Sequence, residues 1–170
     1  RRSVAVGKHV HREWAPAKIN LDLMISGRRA DGYHELDSLI VFGVVADELI
    51  LEPAAEFSLA VEGPYGHLVP HGEANLVLRA AREFARSFGF ASGAHLRLIK
   101  NIPVAAGLGG GSADAAACLR GLQALSGGIC DLPALLELAA GLGADVPVCL
   151  YGKTARIRGV GERIDPVRAL

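Results

Sequence analysis

Between Ala17 and Ser26 the chain alternates apolar and polar residues. Ile19, Leu21, Leu23 and Ile25 share one side, and Lys18, Asn20 and Asp22 share the other. A period of two predicts a strand with one buried and one polar face. Arg28 to His34 centres on Asp31-Gly32 and reads as an exposed turn. Glu35–Val45 and Glu48–Glu52 are predicted as two further strands, joined near Ala46-Asp47, and Phe57, Leu59 and Val61 alternate as another. Gly63–Ala74, rich in Gly, Pro and His, is predicted as a loop.

The period then changes to that of a helix. Val77, Leu78, Ala81, Phe84, Ala85 and Phe88 form an apolar stripe, with Asn75 as cap and Gly89 as stop. Leu96 and Leu98 anchor a strand ending near Lys100-Asn101. A second helix is predicted from Ser112 to about Ser126; it is apolar on most sides and so belongs at the centre. Asp131 caps a third, with Pro133 in its first turn, which ends at Gly141 or Gly143. Ala144–Pro147 is predicted as a loop, with short strands through Ile157. Strands come first and helices later, which predicts an α+β fold rather than a doubly wound parallel sheet.

Composition narrows the function classes. The 170 residues suit one domain with a real core, 51% hydrophobic but only 5% aromatic. Eighteen basic residues balance 18 acidic ones, so there is no global footprint for nucleic acid or a membrane surface. Cys118, Cys130 and Cys149 lack C-x-x-C spacing and read as free thiols, which points to a reducing cytoplasm. Residues 1–13 carry basic residues without an apolar core segment; they read as an N-terminal extension, not a signal peptide. No apolar run is long enough to span a bilayer.

The segment Pro103-Val104-Ala105-Ala106-Gly107-Leu108-Gly109-Gly110-Gly111-Ser112-Ala113 carries the chemistry. Four glycines within five positions let the backbone approach a ligand closely, and a helix follows at once. Unpaired N–H groups at that helix start make an anion site suited to phosphate. Ser112 can add a hydroxyl to phosphate or to Mg²⁺. The alternative is a flexible linker, which the alanine-rich helical sequence opposes. Gly152-Lys153-Thr154 is not a Walker loop, because Pro147 stands where its first glycine belongs, and the Rossmann glycine spacing fails at Ser112.

Pro103 through Ala115 resembles the signature loop of the GHMP kinases. Ala15-Pro16-Ala17-Lys18-Ile19-Asn20-Leu21, Arg29-Ala30-Asp31-Gly32-Tyr33-His34-Glu35-Leu36, Gly72-Glu73-Ala74-Asn75-Leu76 and Gly143-Ala144-Asp145-Val146-Pro147-Val148 resemble one branch of it. That branch phosphorylates the 2-hydroxyl of 4-diphosphocytidyl-2-C-methyl-D-erythritol in non-mevalonate isoprenoid synthesis. The likeness runs from about Trp14 to Arg163. It implies a two-layer domain of the ribosomal protein S5 domain 2-like type over residues 14–170, a mixed sheet packed against helices. It also implies ATP with Mg²⁺, a small-molecule substrate, and a second domain in cis that this chain does not contain. Ala105 and Ala106 stand where such relatives often carry glycine.

By the same resemblance Asp145 is the catalytic base and Lys18 the lysine that orients it. Tyr33 and His34 recognise the cytidine, Asn20 contacts substrate, and Asn75 and Lys100 lie on the nucleotide side with the glycine loop. Taken alone, Asp145 is a turn aspartate, Asn75 a helix cap, and Asp114 a first-turn aspartate favourable to the helix dipole. His67 and His71 are four apart, but Pro70 and Gly72 exclude a helical metal pair. A homoserine or mevalonate kinase is the second reading, opposed by Asp31–His34. A nucleic-acid-binding domain of the same fold is the third, opposed by the neutral charge.

Overall fold

The longest strand runs straight through the point where the sequence places a junction. In a computed structural model describing residues 9–28, 34–159 and 163–167, the segments predicted as separate strands are one, β3 (His34–Ala54). Ala46 and Asp47 stay in register with Pro16 and Ala15. Asp47 is fully buried, because its carboxylate finds partners inside the protein rather than in water.

β1 (His11–Asn20) and β2 (Met24–Arg28) lie antiparallel along one side of β3. β4 (Ser58–Glu62) and β5 (Gly93–Ile99) are parallel to each other, and β5 pairs with the far end of β3. β6 (Ala155–Gly159) pairs with the near end, and β7 (Arg163–Pro166) follows as its neighbour. Leu49 pairs with Glu13 on one side and Leu98 on the other, so β3 is the spine of a mixed seven-stranded sheet. His11–Glu13, within the stretch read as an extension, belong to β1.

Among the described residues four α-helices form the second layer: α1 (Leu76–Phe88), α2 (Gly110–Leu125), α3 (Leu132–Leu142) and α4 (Val146–Tyr151). Asn75 caps α1 by accepting from Val77 N–H at 2.9 Å, and Gly89 ends it at φ 67°. Asp131 caps α3 through Ala134 N–H at 2.9 Å. α2 packs its alanines and leucines between the sheet and the other helices, and Ala113–Leu119 are all buried. A Cβ added at Gly121 would lie 2.5 Å from Leu51 Cδ1, so α2 sits flush on β3.

Two expectations are corrected here. Ala144–Pro147 is not simply a loop before strands, because Val146–Tyr151 form α4 with Pro147 in its first turn; proline is tolerated there, where its missing N–H has no intrahelical partner to lose. The alternation from Ala17 also misassigns Lys18, Leu21 and Leu23, while Asn20 and Asp22 are exposed as expected. A bulge between Pro16 and Lys18 resets the phase, so Ala17 and Lys18 are both buried. The strand breaks after Asn20, and Leu21 and Leu23 are 61% and 55% exposed.

Candidate functional site

Lys18 is driven inward by that bulge, and a buried ammonium requires a partner. Its Nζ lies 2.9 Å from Asp145 Oδ1, with the lysine side chain 5% exposed and the aspartate 40%. Asp145 stands at the N-cap of α4 but turns its carboxylate to Lys18 instead of capping the helix. One partner is thus held by the core while the other is partly exposed.

The glycine loop lies directly against this pair. Lys18 N–H donates to Leu108 C=O at 2.8 Å. Gly109 takes φ 63° as the N-cap of α2, which begins at Gly110, two residues before Ser112. Ala105 at φ 60° and Gly107 at φ 72° are also left-handed. This curled backbone and the start of α2, whose first N–H groups have no intrahelical partner, line a cleft of about 380 Å³. Residues 103–112 contribute to its lining, and Val69, Pro70, Leu76 and Val77 make part of it apolar.

Beneath the loop is a buried ionic triad. Lys100 Nζ contacts Asp47 Oδ2 and lies 2.7 Å from Asp114 Oδ2. Asp47 Oδ1 accepts the N–H groups of Asn101 and Ile102 at 2.5 and 2.8 Å. The triad therefore ties the residues entering the loop to Asp114, the fifth residue of the helix leaving it and so past its first turn. Burial raises the Asp114 carboxyl, Lys100 opposes this and Asp47 adds to it, with the balance at about 8. Burial pulls the Lys100 ammonium down, but Asp114 and Asp47 outweigh it and raise it. Burial and the neighbouring Asp47 thus favour the protonated form of the Asp114 carboxyl, against the pull of Lys100.

The remaining expected residues divide. Asn20 is exposed at the end of β1, its Oδ1 accepting from Ser38 Oγ at 3.2 Å. Tyr33 lies outside the described residues, and His34 opens β3 opposite Arg28. Asn75 lines the cleft, but its amide also donates to Pro70 C=O at 2.9 Å. Lys100 lines the cleft with its ammonium engaged by both carboxylates.

With the glycine loop, the helix start and the Lys18–Asp145 pair in one place, the comparisons with known proteins are decisive. The profile described as GHMP kinases N terminal domain matches residues 75–153. A 4-diphosphocytidyl-2-C-methyl-D-erythritol kinase of Paramagnetospirillum magneticum is 52% identical over 156 residues, covering 92% of this chain and 54% of that protein. Residues 75–153 carry the GHMP kinase N-terminal domain. A like-named kinase of Rhodospirillum rubrum is 51% identical over 158 residues, covering 93% and 52%. This chain superposes on a crystal structure of 4-(cytidine 5'-diphospho)-2C-methyl-D-erythritol kinase with TM-score 0.76 at 46% identity, covering 92% of this chain and 55% of that one. Homoserine kinase from Cytophaga hutchinsonii shares the fold at TM-score 0.70 and 20% identity, covering 99% and 54%. The chain spans about half the length of the curated relatives it matches.

Sequence reasoning about this GHMP domain missed Asp47, read as a strand junction, and placed Asp114 at a helix start rather than in an ionic cluster. An aspartate between predicted strands carries no local mark of burial. The one available signal for Asp114 was its place inside an otherwise apolar helix, where a charge needs a partner. Val69 and Pro70 had no chemical signal at all.

Proposed function

We propose that this chain is the nucleotide-binding half of an ATP-dependent kinase that phosphorylates the 2-hydroxyl of 4-diphosphocytidyl-2-C-methyl-D-erythritol, a step of non-mevalonate isoprenoid synthesis. The observation that carries the reading is the 2.9 Å Lys18–Asp145 pair bonded directly to the glycine loop through Lys18 N–H and Leu108 C=O. Phosphoryl transfer asks the protein for positioning and charge stabilisation more than for covalent chemistry. Both elements of that task meet at Lys18.

In this reading the backbone of residues 103–113 wraps the ATP phosphates, with the apolar lining at Val69, Pro70 and Leu76 toward the base. Asp145 takes the proton as the acceptor oxygen attacks the γ-phosphorus. The bond from that phosphorus to the β–γ bridging oxygen breaks, and ADP leaves. Lys18 holds Asp145 in place and steadies charge on the acceptor oxygen. Mg²⁺ accompanying the nucleotide would neutralise phosphate charge, and Ser112, partly exposed in the first turn of α2, is the hydroxyl placed to meet it. Tyr33 and His34 recognise the cytidine of the substrate, and Asn20 contacts the substrate beside Lys18. A C-terminal domain supplied in cis completes the cleft, consistent with relatives about twice as long.

The test is phosphorylation of 4-diphosphocytidyl-2-C-methyl-D-erythritol by the full-length protein with ATP and Mg²⁺. Asp145→Asn is expected to lower kcat by about 10²- to 10⁴-fold with substrate binding retained. Lys18→Met should behave similarly, and the double variant should be far less than additive. Near-normal turnover by Asp145→Asn would return this residue to an ordinary turn aspartate.

A further inference from the structure

We propose that Arg120 is a positioning residue that sets Asp145 against Lys18 by locking the first strand to the fourth helix. The proposal rests on the function proposed above and concerns a residue that meets neither nucleotide nor acceptor there. Arg120 lies on α2, its side chain 28% exposed. Its Nε donates to Glu13 Oε2 at 2.8 Å and its Nη2 to Trp14 C=O at 2.7 Å, both on β1. Its Nη1 donates to Cys149 C=O at 3.1 Å, on α4. β1 is the strand that delivers Lys18, and α4 is the helix that starts from Asp145.

These three bonds matter because α4 is only six residues long. A helix that short has few internal hydrogen bonds and little intrinsic stability. Cys149 N–H reaches back to Asp145 C=O at 3.2 Å, so the carbonyl held by Arg120 is one turn from the aspartate. The guanidinium also meets α4 near its carbonyl-bearing end, where a positive charge is favoured. On the other side, the Pro16–Lys18 bulge frees part of β1 from its regular ladder with β3. Arg120 spans this seam with donors in a rigid plane, which a lysine cannot reproduce. Glu13, shared with His11 Nε2 at 2.8 Å, neutralises the guanidinium.

The experiment compares Arg120→Lys and Arg120→Met in the full-length protein. Both are expected to lower kcat by about 10- to 100-fold, since small misplacements of reacting groups cost that order. ATP affinity should stay within about twofold, because the glycine loop hangs on the Asp47–Lys100–Asp114 triad rather than on Arg120. In an Asp145→Asn background, Arg120→Met should cost no further turnover, whereas a general loss of stability would add in both backgrounds. Normal kcat in both variants of an active enzyme, or an equal further loss in the Asp145→Asn background, overturns the positioning role. An inactive wild type would instead overturn the proposed function. In that case nitrogen NMR of the Lys18 ammonium decides the inference separately. Its slowed exchange with water should be seen in wild type and lost in Arg120→Lys, and survival of that signal rejects the role.

Discussion

At Gly109 backbone conformation and a neighbouring side chain impose the same requirement. Its φ is 63°, and an added Cβ would lie 3.1 Å from both Cβ and Cε of Lys18. Gly109→Ala therefore strains the loop and presses on the lysine at once. ATP affinity, measured by calorimetry on the full-length protein, is expected to fall about tenfold or more, a loss of about 1.4 kcal/mol. The larger Gly109→Val should abolish binding while circular dichroism stays close to wild type. Asp114 makes a different prediction. Its carboxyl is raised from 3.8 to about 8, so between those values the folded protein holds a proton that the unfolded chain has released. Stability from this group is complete below about 4 and is lost as pH rises through about 8. Asp114→Asn, neutral at every pH, should melt near wild type at pH 5. It should gain on wild type steadily up to about pH 8 and level off above it, at about 2–4 °C for each kcal/mol. A constant difference in melting temperature across that range contradicts the assignment.

At the scale of elements, β3 and α2 carry the site between them. Asp47 sits in the middle of β3 and satisfies Lys100 as well as the N–H groups of Asn101 and Ile102. Asp47→Ala deprives the buried Lys100 ammonium and Ile102 N–H, and the part-buried Asn101 N–H, of that acceptor, and is expected to cost about 3–5 kcal/mol in urea unfolding. Asp47→Asn keeps an acceptor oxygen for the two N–H groups, so its cost should be clearly smaller. If the two variants are equally destabilised, the bonds to the loop contribute nothing. α2 meets β3 through Gly121, where a Cβ would fall 2.5 Å from Leu51 Cδ1. Gly121→Ala should cost about 1–3 kcal/mol through overpacking, despite alanine's better helix propensity. A stabilised Gly121→Ala would mean that the sheet gives way at Leu51.

At the scale of the whole molecule, one face of the sheet is covered by helices, and the cleft opens where α2 begins. The charge of the chain is balanced, 18 against 18, so the phosphate binding proposed above calls for a local array of N–H groups rather than a general positive field. A titration with RNA at low salt is expected to show no saturable binding that weakens with the logarithm of salt concentration. A steep salt dependence would revive the nucleic-acid reading of this fold. Among the described residues no helix is long and apolar enough to cross a membrane.

Local sequence determined whatever depends on neighbours a few residues apart. The caps at Asn75 and Asp131, the stop at Gly89, the apolar stripe of α1 and the glycine loop opening a buried helix were all legible, because each is a property of backbone conformation and short-range periodicity. Lys18 and Asp145 could be named only through resemblance to the GHMP kinases, since 127 residues separate them and nothing local says that they meet. Tertiary structure alone decided the continuity of β3 through Asp47, the inward turn of Lys18 at a bulge, the burial of Asp114 with Lys100, and the span of Arg120 from β1 to α4. In each case nothing in the neighbouring sequence names the partner that the charged group meets. Its partner is supplied by a different element, 14 to 127 positions away in the chain. Electrostatic pairing in a desolvated interior acts through space, and a periodic reading along the chain has no access to it.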